Sequence, residues 1–294
     1  MKPSHILTGT VLALLLLCGC GSQETGASGL EEARELMYSS RFNDAYKMLH
    51  SLERKKGNQI SDDAEFRFLL ALSAWNKLPA SPETIAEAKQ RFEGVIEAYP
   101  ETEYARLSLY NLARIAELRD YPGDEPDLEQ AREGYRKLIQ TYPETEYADE
   151  ATLLLAGSYT VEYDKPEEVR KGVAILEAFV REHPDSPYTA HAHLILGDIY
   201  NDILQARTEA LQHYIACDEK GIPADDLKVK LYWKIATIAK EFTGQAEIAA
   251  EYFYKSTQVS AGRRFEAILE LRQLKESHPE LEITVPQMED SEAL

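Results

Sequence analysis

Apolar residues recur along this chain at intervals of three and four, and a proline closes each such run. Ala88, Phe92, Val95 and Pro100 lie 4, 3 and 5 positions apart, and the same intervals return in Ala131, Tyr135, Leu138, Pro143 and in Gly172, Leu176, Phe179, Pro184. Such spacing places one small and two large side chains on a single helix face. The proline cannot continue the helix and so ends it. Thr102, Thr145 and Ser186, two residues past each proline, are the expected N-caps of the helix that follows. Twelve residues past each proline comes a second pattern, Leu112-Ala113-x-x-Ala116, Leu155-Ala156-x-x-Tyr159 and Leu196-Gly197-x-x-Tyr200. A small residue on each of two successive helices lets them approach closely as an antiparallel pair.

The pattern is an internal repeat. Tyr99-Pro-Glu-Thr-Glu-Tyr-Ala105 recurs unchanged at Tyr142 to Ala148, an offset of 43, and His183-Pro-Asp-Ser-Pro-Tyr188 is a third copy at an offset of 41. Ile235-Ala236-x-x-Ala239, Ala210-x3-Tyr214 and Ala249-x3-Phe253 extend the series toward the end of the chain. Phe42-x-x-Ala45 and Leu70-Ala71-x-x-Ala74 extend it toward the start. Self-similarity at this period marks an array of stacked supersecondary units, each burying its apolar face on the next. The spacing predicts six helix pairs, near 28–58, 63–100, 103–143, 146–184, 187–223 and 226–258, and a final capping helix near 261–277. The surplus of the longer units falls in the turn-rich segments 119–127 and 163–166.

These residues resemble the tetratricopeptide repeat, whose degenerate pattern is Leu-Gly-x2-Tyr in helix A, Ala-x3-Phe-x2-Ala in helix B, then Pro. The resemblance covers residues 30–278 and implies an all-α, right-handed superhelical solenoid of helix hairpins, followed by an acidic tail at 279–294. It also implies a concave groove lined by the A helices. Counting from the small residue of each A helix, the groove positions are Glu65, Phe68, Trp75, Tyr110, Arg114, His191, Asp198, Asn201, Lys230, Trp233 and Lys240. Aromatics and arginine are the residue types that supply binding hot spots. Packing between repeats is the competing role for Phe68 and Trp233.

The first residues read differently. Lys2 precedes an apolar run, Ile6 to Leu17, of 12 residues. A bilayer-spanning helix needs about 20 apolar residues, so the run fits the core of a cleaved signal peptide. It ends in Leu17-Cys18-Gly19-Cys20, which resembles the lipobox of bacterial lipoproteins. That resemblance implies a signal peptide at 1–19, cleavage before Cys20 and a lipid on its sulfur. Residues 20–29 then form the lipidated cysteine and a Gly/Ser-rich flexible tether. Gly21 stands where an inner-membrane lipoprotein would usually carry Asp. By the family's rule this favours the outer membrane, with the body facing the periplasm. Lipobox, tether and Tyr-Pro repeats together resemble the BamD-like group of outer-membrane lipoproteins.

Composition adds exclusions. Lys and Arg number 32 against 51 Asp and Glu, a net charge of −19, which repels phosphate backbones and disfavours nucleic acid as a partner. Of three cysteines, Cys18 lies in the discarded segment, Cys20 takes the lipid, and Cys217 is left as a buried apolar residue, so no disulfide framework forms within the chain. The motifs of hydrolases, metalloproteases, P-loops and dinucleotide sites are missing. His191 and His193 sit i, i+2, which on a helix points them apart rather than at one metal. The acidic pairs Glu31-Glu32, Asp62-Asp63, Glu167-Glu168 and Asp225-Asp226 are expected near helix starts, where they complement the helix dipole. No catalytic residue, metal or cofactor is expected. The expected job is a protein–protein interaction scaffold of an envelope assembly machinery, such as the insertion of β-barrel outer-membrane proteins, with envelope proteins as partners and the membrane reached through Cys20. The alternative is a binder of peptidoglycan, peptide or exported polysaccharide.

Overall fold

The computed structural model describes residues 27–56, 63–161, 163–222, 224–259 and 263–287. The expected signal peptide, Cys20 and most of the tether lie outside them. The described residues hold thirteen α-helices and no strand. Up to Pro143 they form one compact unit, with hairpins α1 (Ala27–Tyr38)/α2 (Phe42–Lys56), α3 (Ala64–Trp75)/α4 (Pro82–Ala98) and α5 (Glu103–Glu117)/α6 (Leu128–Thr141). From Glu144 onward a second unit holds α7 (Glu146–Thr160)/α8 (Pro166–Glu182), α9 (Thr189–Asp198)/α10 (Arg207–Lys220), α11 (Asp225–Ile238)/α12 (Ala246–Val259) and a single helix α13 (Arg264–Ser277). The six pairs and the last helix match the repeat. Two differences concern the start of the first helix. Helix α1 begins at Ala27, so the last residues assigned to the tether are helical, and Glu31-Glu32 lie past its first turn.

The caps explain the Pro-x-Thr motif. Thr102 and Thr145 accept the backbone N–H of Ala105 and Ala148 and so start α5 and α7. Ser81 starts α4 with a reciprocal capping box to Thr84, and Pro82 fills the first helical position. Ser186 does not cap. Pro187 follows it, α9 begins at Thr189, and the Ser186 hydroxyl instead donates to Asp149 Oδ2 at 2.5 Å and accepts the Tyr188 N–H at 3.2 Å.

The Tyr before each of the first two repeat prolines is half-buried beside an arginine. The Arg67 guanidinium lies 5.4 Å from the Tyr99 centroid and that of Arg106 lies 5.5 Å from Tyr142, each arginine four residues past the N-cap of its A helix. In the next hairpin the ring becomes His183 and the matching A-helix residue becomes Asp149, whose Oδ1 is 3.7 Å from His183 Nδ1. The hairpin thus changes both members of the pair together.

The small residues sit at helix crossings. Ala45, Ala71, Ala74, Ala88, Ala131, Ala156, Ala210, Ala236 and Ala249 are all 0% exposed. A Cβ added to Gly172 would stand 2.7 Å from the carbonyl oxygen of Ala156, and one added to Gly197 would stand 2.5 Å from the Tyr214 ring. In the third hairpin the closest approach is made by Gly134, whose added Cβ would meet Ala113 Cβ at 2.8 Å, rather than by Ala131. Carbon atoms pack at about 3.5–4.0 Å, so at these crossings only hydrogen fits.

Two A helices end in a π-helical turn, Ile199–Ile203 after α9 and Ala239–Thr243 after α11. The second of these turns is closed at Gly244, which has a positive φ of 65°. The segment 279–287 is not a simple acidic tail. Its residues Leu281, Ile283 and Val285 pack on the core that also contains Phe253, Leu271 and Leu274.

Candidate partner-binding surface

Every groove position expected from the sequence lies on an A helix or on the π-helical turn that continues one, but most of these side chains are engaged with neighbouring helices. In the first unit, Glu65 on α3 receives both the Nε and Nη2 of Arg34 on α1, at 2.6 and 2.8 Å. This fork-on-carboxylate pair, with Glu31 beside it, holds the Arg34 pKa above its usual value. Burial, with Glu65 adding, pushes the Tyr104 hydroxyl up as well. Phe68 is fully buried against Phe92 and Tyr104, with ring centroids 5.9 and 5.7 Å away. It therefore has no surface to offer a ligand and leaves the groove set. Tyr110 is likewise buried, at 5% exposure. Arg114 pairs with Glu117, whose Oε2 also accepts the Tyr135 hydroxyl at 2.7 Å, tying α5 to α6.

Trp75 remains half-buried and donates its indole N–H to Asp120 Oδ1 at 3.1 Å. Asp120 belongs to the loop between α5 and α6. Burial raises its pKa, and its Oδ2 is a buried atom with no hydrogen-bond partner in the structure.

The second unit repeats the arrangement with other residues. Asp198 on α9 is paired with Lys234 on α11, and its Oδ1 also accepts the Tyr214 hydroxyl at 2.6 Å. Lys240, in the turn after α11, reaches Glu270 on α13 at 2.5 Å and Gln273 at 3.3 Å. Asn201 contacts Asp202 and takes Arg207 on both its backbone and side-chain oxygens. Trp233 packs edge-on against Phe253 at 5.2 Å, under the Arg263 guanidinium at 4.6 Å. Lys230 is exposed and His191 is half-buried, with a pKa lowered by burial.

Within each unit, ion pairs thus join successive hairpins: Arg34–Glu65 in the first, Asp198–Lys234 and Lys240–Glu270 in the second. Their partners Arg34, Lys234 and Glu270 were not among the expected groove residues, because each lies 30–36 residues from its mate and only the stacking brings the two together. Aromatic and basic surface remains at Trp75, His191, Lys230 and Trp233.

His193 turns away from His191, as its spacing required. Its Nδ1 is 3.0 Å from Nδ1 of His213 on α10, and Tyr200 stacks on His213 at 5.4 Å while donating to Glu177 at 2.7 Å. Among the described residues no group of three or more His, Cys, Asp or Glu converges on a possible metal position. Cys217 is fully buried, and burial, aided by Asp218 and Asp198, pushes its thiol up to about 12.

Residues 107–145 match the tetratricopeptide repeat family, a stretch running from α5 through α6 to the Thr145 cap. No curated protein matches the chain. Among solved structures the chain is similar to pilF of Pseudomonas aeruginosa, at 13% identity and a TM-score of 0.51, covering 86% of this chain and 98% of that one. It is also similar to a tetratricopeptide repeat protein from Parabacteroides merdae, at 15% identity and a TM-score of 0.50, covering 86% of this chain and 93% of that one. At these identities the likeness is one of fold: an all-α array of tetratricopeptide-like hairpins.

Proposed function

We propose that this chain is a lipid-anchored interaction scaffold, held through Cys20 at the periplasmic face of the outer membrane, where its hairpins bind proteins of an envelope assembly machinery. A BamD-like part in β-barrel insertion is the sharpest form of this reading. The observation that carries it is the use of the chain: a lipobox-like Leu17-Cys18-Gly19-Cys20, then helix hairpins through almost all of the described residues. Six residues separate Cys20 from the start of α1, so the link spans at most about 25 Å and keeps the array beside its leaflet. Two or three acyl chains make such an anchor stable, where a single chain is marginal. The exposed Lys230 and the half-buried Trp75 and Trp233 are the side chains offered to a partner.

The test is crosslinking in cells that express a tagged chain, followed by identification of captured proteins, with Cys20→Ser alongside. The scaffold reading expects envelope proteins in the capture, and loss of both capture and membrane fractionation in Cys20→Ser. Capture of no envelope protein, or unchanged fractionation of Cys20→Ser, would overturn it. A parallel pull-down on isolated cell-wall sacculi that retains the protein, and loses it in the Trp75→Ala/Trp233→Ala variant, would transfer the assignment to wall binding.

A further inference from the structure

Helix α13 packs on α12, no helix follows it among the described residues, and a non-helical segment comes next and packs on the same core. Residues 281–285 read Leu-Glu-Ile-Thr-Val, apolar at every second position, between Pro279 and Pro286. A period of two is that of an extended strand, and the two prolines keep the stretch from joining α13 as a helix. In the structure Ile283 is 6% exposed and joins the apolar cluster of Tyr252, Phe253, Ala267, Leu271 and Leu274, with Leu281 and Val285 packed beside it. Glu282 and Thr284 face outward. Among the described residues, Arg264 Nη2 donates to the Gln287 carbonyl at 3.1 Å, and the N–H groups of Leu281 and Ile283 close short turns onto the carbonyls of His278 and Leu281. Coverage of α13 is also partial, since Phe265 and Leu269, one turn apart, stay 40% and 38% exposed.

We propose that the surface formed by α12 and α13 is a peptide-docking groove, which this chain closes with its own residues 281–287 and which accepts in trans a short non-helical segment with apolar residues at alternate positions. The seated strap defines the ligand chemistry: three inward apolar side chains two residues apart, polar side chains between them, and a carbonyl for Arg264. Because the described residues of the strap are seated by side-chain burial and belong to no helix, the strap can leave without breaking one. This groove is distinct from the A-helix positions discussed above.

The test uses the full chain carrying Ile283→Asp, which releases the strap and leaves the helices unaltered. A fluorescent peptide of residues 279–287 is titrated into this variant and into the unaltered chain, with anisotropy as the readout. Saturable binding is expected, at least tenfold tighter for the variant, because the unaltered chain fills its own groove. A peptide with the same Ile-to-Asp change should not bind. Absence of binding to a helical Ile283→Asp chain, or equal binding to both chains, overturns the proposal. The unaltered chain supplies a second measurement that needs no variant. A glutamate-specific protease should cut after Glu282 well before it cuts within α13, and equal rates would show a strap that never opens.

Discussion

Substituting Gly197 by alanine is the sharpest perturbation of the helix crossings. The new Cβ would stand 2.5 Å from both Cδ1 and Cε1 of Tyr214 and 3.0 Å from its Cγ. Relative to an ordinary carbon contact this is an overlap of about 1 Å. The Tyr214 ring is completely buried, and its hydroxyl is fixed to Asp198, which is itself paired with Lys234. The ring therefore cannot swing aside without losing a hydrogen bond, and the alternative is to open the α9/α10 hairpin. Overpacking of this kind costs about 1–3 kcal/mol, and a weakened, partly buried hydrogen bond adds about 1. Against this, alanine in a helix gains about 1 kcal/mol over glycine. The net expectation is a loss of about 1–3 kcal/mol. Gly157 on α7 is the control, because a Cβ there meets nothing within 4 Å. Gly157→Ala should stabilise the chain by about 0.5–1 kcal/mol through backbone entropy alone. Urea unfolding followed by helical circular dichroism measures both. A Gly197→Ala protein as stable as the parent, or a Gly157→Ala protein that loses as much, would refute the reasoning.

Three further outcomes are expected. Thr145→Ala should cost about 1 kcal/mol by uncapping α7, whereas Ser186, which caps no helix, should not give a cap-type loss of α9 helicity when changed to alanine; helix content on heating separates the two. Burial, with His213 and Lys220 adding, pushes His193 down to about 4, so between its unfolded value near 6.5 and about 4 the folded chain binds fewer protons than the unfolded one. The stability tied to its neutral form is then complete above about pH 6.5 and falls as pH drops toward 4. For a half-buried ring this amounts to about 1–2 kcal/mol, and His193→Gln should lose correspondingly less between pH 7.5 and 4.5; an unchanged pH dependence would contradict the assignment. Cys217, buried and with its thiol held up, should resist thiol reagents at pH 8 in a Cys18→Ser/Cys20→Ser chain until urea unfolds it.

The array was legible because its determinants are local. Tyr-Pro-Glu-Thr sets a helix end and the next helix start within four residues, and the Ala-x3-Phe and Leu-Gly spacings fix which faces meet. What escaped depends on distance or on single residues. Phe68 carries the same spacing signal as a groove residue, and only the placement of Phe92 and Tyr104 shows that it is enclosed. The Arg34–Glu65 and Asp198–Lys234 pairs join residues whose partners are set by how successive hairpins stack, which periodicity does not encode. The His193–His213 contact spans 20 residues across one hairpin and has no motif. The π-helical turns after α9 and α11 carry one extra residue per turn without any change in composition. The strap was concealed by charge: Glu280, Glu282 and the acidic residues after 288 dominate the composition, while the alternating Leu281, Ile283 and Val285 are only three positions.

The proposed role begins with the sulfur of Cys20, and mass spectrometry of the amino-terminal peptide from membrane-extracted protein addresses it most directly. The expected chain starts at Cys20 and carries a thioether-linked diacylglycerol, with every residue before it removed. An unmodified Cys20 thiol, or a mature chain that starts anywhere else, would contradict it.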